Sequence, residues 1–292
     1  MANTQDIRRR IKSIRNTAQI TKAMQMVAAS KMRKAQQHAL AGRPYAELMN
    51  RVLASLKGRT DPLLHPLLQV RPTRRELVLV VSTDKGLAGA LNTNLMREAM
   101  TFDAAKTVYV SAGRKARQFI VRGRRELLAS FELKDAPTIV ETKLISRFCL
   151  EKFLTGEVDK VTVLYTHFIN TISQKALAQT LLPISQFPPP SAAKSGTAEE
   201  QSADPLLGYI FEPSAEAVLD FMLPYYVQYQ VYQMILDARA SEHSARMVAM
   251  KNATDNANQF IKDLTLEYNK MRQASITTEL LEISTAQMAL GG

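Results

Sequence analysis

Met250-Lys-Asn-Ala-Thr-Asp-Asn-Ala-Asn-Gln-Phe260-Ile-Lys-Asp-Leu-Thr-Leu-Glu-Tyr-Asn-Lys-Met271 is the stretch on which the fold turns. Apolar residues fall at Met250, Ala253, Ala257, Phe260, Leu264, Tyr268 and Met271, mostly alternating threes and fours, and the pattern resumes at Ile276, Leu280 and Ile283. That spacing draws a narrow apolar seam along one side of a helix, as a coiled coil requires. Outward from it, neither proline nor glycine interrupts the chain between Pro224 and Leu290, so one helix is expected over that span. At about 1.5 Å per residue it would be roughly 100 Å long, more than a compact domain can use. So narrow a seam is unstable alone in water and needs a second helix along it.

The other end of the chain supplies that helix. Ile7, Ile11, Ile14 and Ala18 show a four-three-four spacing, and Met24, Val27, Met32 and Ala35 continue the stripe after a slip in phase. The helix is expected to run to about Lys57, with Gly42 and Pro44 as its irregularity. Its Arg-rich start also fits an organellar targeting peptide, but the pattern runs on into Ala28-Ala-Ser-Lys-Met-Arg-Lys34 without a cleavage-like break.

Composition narrows the function classes. A chain of 292 residues with 46% hydrophobic content can bury a real core. Its one cysteine, Cys149, rules out an internal disulfide and reads as a small buried hydrophobe in a reducing compartment. No apolar run approaches the roughly 20 residues of a membrane span, so a soluble or peripheral chain is expected. Residues 1 to 60 hold thirteen Lys/Arg against Asp6 and Glu47, a surplus equal to the whole chain's +11. From Asp237 onward six basic face seven acidic residues, so the two terminal segments can pair favourably. A basic coiled coil that binds nucleic acid is the alternative function, yet the sequence shows no reading module for it.

Between the helices the pattern changes to α/β. Lys57 to Arg75, with Pro62, Pro66 and Pro72, reads as a linker, and Glu76-Leu-Val-Leu-Val-Val81 as a buried strand. Ser82-Thr-Asp-Lys-Gly-Leu-Ala-Gly-Ala-Leu-Asn92 then turns the chain into a helix running to about Thr101. Lys106 to Ser111 gives a second strand, Arg114 to Val121 a short helix and Pro137 to Leu154 a longer one. Lys160 to Ile169 and Gln174 to Ile184 form an antiparallel hairpin around Asn170, so a small, mainly parallel sheet with one antiparallel edge is expected. Gln186 to Asp204 reads as a mobile surface loop. The boundaries are therefore residues 1–57 for the first helix, 76–212 for the α/β domain with its loop 186–204, and 213–292 for the last helix.

The sequence offers little catalytic chemistry. Gly86 and Gly89 sit where α/β domains bind phosphates, but neither the spacing of a P-loop nor that of a dinucleotide fingerprint is present. The glycines read instead as permitting the turn and close packing. The four histidines, His38, His65, His167 and His243, lie in different segments, and no cofactor, metal or catalytic residue is assigned.

Two longer motifs are more specific. Ile20-Thr-Lys-Ala-Met-Gln-Met-Val-Ala-Ala-Ser-Lys-Met-Arg-Lys34 resembles the N-terminal signature of the gamma subunit family of F-type ATP synthases. Ala240-Ser-Glu-His-Ser-Ala-Arg-Met-Val-Ala-Met-Lys-Asn-Ala-Thr-Asp-Asn256 and Tyr268-Asn-Lys-Met-Arg-Gln-Ala-Ser-Ile-Thr-Thr-Glu-Leu280 resemble its C-terminal signature. The resemblance covers the chain end to end and implies a long antiparallel coiled coil of the terminal helices with a small Rossmann-like α/β domain. It implies the central rotor of a proton- or sodium-driven ATP synthase, non-catalytic in itself. The implied partners are the alpha, beta and epsilon subunits and the c-ring, at the cytoplasmic face of a bacterial membrane and touching it only peripherally. Coupling contacts carried over by match are Met24, Glu242, Arg246, Arg272, Gln273, Thr277 and Glu279, and Glu242 and Arg246 are spaced to pair with each other. The motif residues Asp84, Gly86, Leu87, Gly89 and Asn92 are assigned to subunit packing, and without a cysteine pair the thiol regulation of chloroplast forms is not expected.

Antiparallel pairing also fixes a register. If Lys57 lies level with the start of the last helix, facing residue numbers add to roughly 272–281 at equal rise on both strands. Met24 then lies beside Val248 to Ala257 and Ile7 near Thr265 to Ala274, and Ile276 to Leu290 extends as a single helix.

Overall fold

The computed structural model describes residues 4–57, 65–184, 211, 212 and 214–290. The chain forms two compact units, residues 1–29 with 246–292, and residues 30–245. Both long helices, α1 (Thr4–Ala41) and α6 (Ala215–Leu290), contribute to each unit. The terminal helices, read from the sequence as bodies apart from 76–212, are thus shared between the units. The surface loop expected at 186–204 lies outside the described residues, as do residues 58–64 of the linker.

In the unit of residues 30–245, α2 (Arg43–Lys57) follows α1 after a break at Gly42. The sheet then alternates with helices as β1 (Glu76–Val81), α3 (Leu91–Ala99), β2 (Thr107–Ala112), α4 (Arg114–Arg122) and β3 (Leu127–Phe131). It continues through α5 (Ile139–Leu154) to β4 (Lys160–Phe168) and β5 (Gln174–Leu182). Strand order is β3-β2-β1-β4-β5, parallel throughout except that β5 runs antiparallel to β4. The β4–β5 turn forms because the Asn170 side chain accepts from the backbone N–H groups of Ile172 and Ser173, at 2.9 and 2.7 Å.

β1 and β2 are buried without alternation because both their faces are covered. Leu77 and Leu79 join one core with Leu53 and Leu56 of α2, Ile145 and Phe153 of α5, and Leu223, Val227, Val231 and Ile235 of α6. Val78 and Val80 point the other way, onto Leu95 and Met96 of α3 and Ile120 of α4. Cys149 is fully buried in the first core, and burial pushes its thiol up to about 12. It should therefore be inert to a thiol reagent at pH 8 in the folded chain, with one equivalent reacting only in denaturant. Fast reaction of the native protein would contradict that packing.

One expectation needs correction here. The sequence reading contains no counterpart of β3, because Leu-Leu-Ala-Ser-Phe is short and its residues are only partly buried. The last helix begins at Ala215, within the 213–292 expected for it and nine residues before Pro224, with the Ser214 hydroxyl accepting from the Ala217 N–H at 3.2 Å. Proline removes one helical hydrogen bond. The loss is tolerated because Pro224 is exposed while Leu223, Tyr226 and Val227 around it are buried.

The unit of residues 1–29 and 246–292 is the antiparallel coiled coil. Thr21 and Thr254, both buried, face each other with hydroxyl oxygens 2.7 Å apart, so facing numbers add to 275, inside the expected window. The first strand of the seam runs Ile7, Ile11, Ile14, Ala18, Thr21, Gln25 and Ala28 in unbroken four-three alternation. The phase slip expected near Met24 is therefore absent, and Val27 is 55% exposed. The second strand runs Met250, Thr254, Ala257, Ile261, Leu264, Tyr268 and Met271, with Ile261 in place of Phe260, which is 60% exposed. Polar seam positions are tolerated because each threonine hydroxyl has two partners, the other hydroxyl and a carbonyl of its own helix, Ala18 O or Met250 O. One hydroxyl donates across the seam while the other donates to its own helix, so neither is left unsatisfied.

Candidate functional site

The Ser82-to-Asn92 turn is built by backbone geometry that its sequence permits. Leu87 and Gly89 both adopt left-handed φ values, 62° and 58°, which swing the chain from β1 back into α3. Thr83 donates to Lys85 O at 2.7 Å, and the Asn92 amide donates to the Thr83 hydroxyl at 2.8 Å, closing the turn. Its neighbour is the start of α4, where Arg114 N–H donates to Asp84 Oδ1 at 2.9 Å and Ala116 N–H to Ser82 Oγ at 2.8 Å. The side chains of Ser82, Thr83, Asp84 and Asn92 are thus engaged within the chain. Of the motif residues assigned from the sequence to subunit packing, Asp84 and Asn92 are bonded within the chain. Gly86, Leu87 and Gly89 are exposed, and a Cβ at either glycine would meet nothing within 4 Å, so the close packing expected at the glycines is not found.

Arg239 of α6 meets this turn. Its guanidinium donates to Glu242 Oε2 at 2.6 Å, Asp84 Oδ2 at 3.2 Å and Leu133 O at 3.0 Å, with its side chain 4% exposed. Burial pulls the Arg239 pKa down, but Glu242 and Asp84 outweigh it and hold the value above its ordinary level. The group is a fixed cation and cannot serve as an acid or base near neutral pH. Two residues earlier, Asp237 accepts from the Phe168 N–H at 3.1 Å and contacts His167 Nδ1 at 2.5 Å. Burial raises the Asp237 pKa, partly offset by these two partners. Ser244 donates to Thr171 O at 2.8 Å.

The residues carried over from the motifs are not brought together. Glu242 lies in the sheet-bearing unit, 4% exposed, as the counter-ion of Arg239; a partner surface was expected for it. Met24 and Arg246, in the coiled-coil unit, are half-buried. Arg272, Gln273, Thr277 and Glu279 are exposed on α6, where Thr277 donates to Gln273 O at 2.9 Å and Ser275 to Glu279 Oε1 at 3.2 Å. Sequence reading missed Arg239. The available signal was a lone arginine three residues before an acid, in an otherwise small and apolar helical stretch.

Comparison with known proteins follows the same lines. A family model described as ATP synthase matches residues 3–290. The ATP synthase gamma chain of Methylacidiphilum infernorum is 52% identical over 296 residues, covering 100% of both chains. That of Opitutus terrae is 49% identical over 292 residues, covering 99% of each. Among solved structures, a central stalk and c-ring chain of the Tetrahymena thermophila mitochondrial ATP synthase is 26% identical, with a TM-score of 0.60 over 80% of this chain and 99% of that one. A rotor chain of the Euglena gracilis mitochondrial enzyme has the same fold, at 22% identity and a TM-score of 0.66 over 94% and 98%. The relatives give the nucleic-acid alternative no support. With a match from residue 3 to 290 and full-length relatives about half identical, the chain belongs to the ATP synthase gamma chain family.

Proposed function

We propose that the chain is the central-stalk rotor of an F-type ATP synthase, turning inside a hexamer of three alpha and three beta subunits and engaging epsilon and the c-ring. The observation that carries this reading is the asymmetric helix pair that runs out into one helix. From Arg272 to Met288 every residue of α6 is exposed, and Ile276, Leu280 and Ile283 are 49, 62 and 61% exposed. Such apolar residues on a helix that packs against nothing among the described residues suit an enclosing apolar collar. A shaft without threefold symmetry presents a different face to each of three chemically identical beta subunits, so each is biased toward a different conformation. Rotation then carries every site through binding, reaction and release, coupled to ion flow through the ring. No described helix is long and apolar enough to cross a membrane, which fits peripheral attachment at the cytoplasmic face of a bacterial membrane.

Within this reading Met24, Arg246, Arg272, Gln273, Thr277 and Glu279 are coupling contacts, and Glu242 is an internal counter-ion. The test is the Met24→Lys chain assembled into the whole enzyme in inverted membrane vesicles. Lysine adds a mobile cation at a half-buried position beside the seam without cutting into the core. ATP hydrolysis should stay within about twofold while protons pumped per ATP fall at least about twofold. Equal pumping per ATP in variant and wild type would remove Met24 from the coupling set. Failure of the wild-type chain to assemble with alpha and beta would remove the rotor reading itself.

A further inference from the structure

The contacts between α6 and the sheet change character along the helix. Leu223, Val227, Val231 and Ile235 contribute apolar surface to the core, where the attraction is non-directional and position is held by interdigitated packing alone. From Asp237 to Ser244 the helix makes polar contacts instead, all at the carboxyl edge of the sheet. Asp237 holds the end of β4, Arg239 the turn after β1 and the chain after β3, and Ser244 the β4–β5 loop. Arg239 is the most constrained of these, because its planar fork is held by three acceptors while almost fully buried. If α6 rolled against the sheet, Glu242 on the same helix would stay with Arg239, but Asp84 and the Leu133 carbonyl would part from it inside the protein, and a buried cation losing one of its two carboxylates is costly.

We propose that Arg239, with Asp84 and Glu242, is a torque-bearing pin: it positions the sheet on α6 so that the helix turns with the sheet under load. The inference rests on the rotor reading. Torque delivered to the sheet reaches the shaft through α1 and α6, the two helices shared by both units, and along α6 the directional polar contacts add to the packed core in holding the helix against creep. Arg239 touches no nucleotide. It acts through the orientation of α6 and matters in proportion to the load.

The experiment uses whole enzyme in inverted membrane vesicles and compares wild type, Arg239→Lys and Asp84→Asn/Arg239→Lys. Lysine keeps a cation for Glu242 while losing the fork, and asparagine keeps an acceptor for the Arg114 N–H while losing the charge that bridges to α6. In the double variant, unloaded ATP hydrolysis, measured with uncoupler, should stay within about twofold. Protons pumped per ATP against an imposed gradient should fall at least about threefold, with Arg239→Lys alone in between. Wild-type pumping under load by the double variant would overturn the pin. So would equal losses of loaded pumping and uncoupled hydrolysis, the result expected of a merely structural contact. If the double variant does not assemble, Arg239→Lys decides on the same two readouts. Wild-type vesicles that hydrolyse ATP but pump nothing would overturn the rotor reading rather than the pin.

Discussion

Replacing Gly113 with alanine should destabilise the chain by about 4 kcal/mol, enough to remove much of a typical domain's stability. Gly113 sits between β2 and α4 at φ 113°, a conformation that residues with a side chain seldom adopt. The strain of forcing alanine there is about 1–3 kcal/mol. The added Cβ would also lie 2.3 Å from the carbonyl oxygen of Ser82 and 2.9 Å from its hydroxyl oxygen, and a backbone atom cannot swing aside as a flexible side chain can. Overpacking of that kind costs about 1–3 kcal/mol more. Relief requires moving the end of β1 away from α4, which breaks the bonds from Ala116 N–H to Ser82 Oγ and from Lys115 N–H to Thr83 O. Gly86 is the control: its Cβ would meet nothing within 4 Å and its φ is not positive, so Gly86→Ala should change stability by less than about 0.5 kcal/mol. Urea denaturation followed by far-UV circular dichroism reads both, and equal midpoints for the two variants would refute the close approach.

Gly113 also shows where sequence reading stops. Its neighbours Val110, Ala112 and Ala116 mark a strand and a helix, but nothing local says that the junction meets the Ser82 carbonyl, thirty-one residues earlier. The elements with long periodic patterns were legible: both terminal helices, β1, β2, the β4–β5 hairpin and the antiparallel register. The misread positions are those where one residue type argued against its place. Thr21 and Gln25 are polar on a seam, so hydropathy skips them and a phase slip looks necessary. Phe260 is apolar beside the seam, so it displaces Ile261. Glu242 is the functional counterpart: a charged residue in a family motif suggests a surface contact, and only the fold shows Arg239 beside it.

A disulfide between Thr21→Cys and Thr254→Cys, in a Cys149→Ser background, should close within one chain almost completely under mild oxidation. The two hydroxyls lie 2.7 Å apart on buried seam positions, so sulfurs in their place approach bonding distance with little backbone movement. The two positions are 233 residues apart, and closing a loop of that size removes unfolded-state entropy equivalent to about 5 kcal/mol. Melting of the coil should rise by about 10 °C or more in the oxidised form and return on reduction. Pairing Thr21→Cys with Phe260→Cys is the control, since six further residues climb about 9 Å along the helix and Phe260 faces outward at 60% exposure. Gel mobility distinguishes the outcomes. Closure only between chains would make the coil intermolecular and leave no shaft. Preferential closure at Phe260 would shift the register by almost two turns, moving Met24 from the level of Lys251 to that of Ala257, and the coupling contacts would have to be reassigned along the whole helix pair.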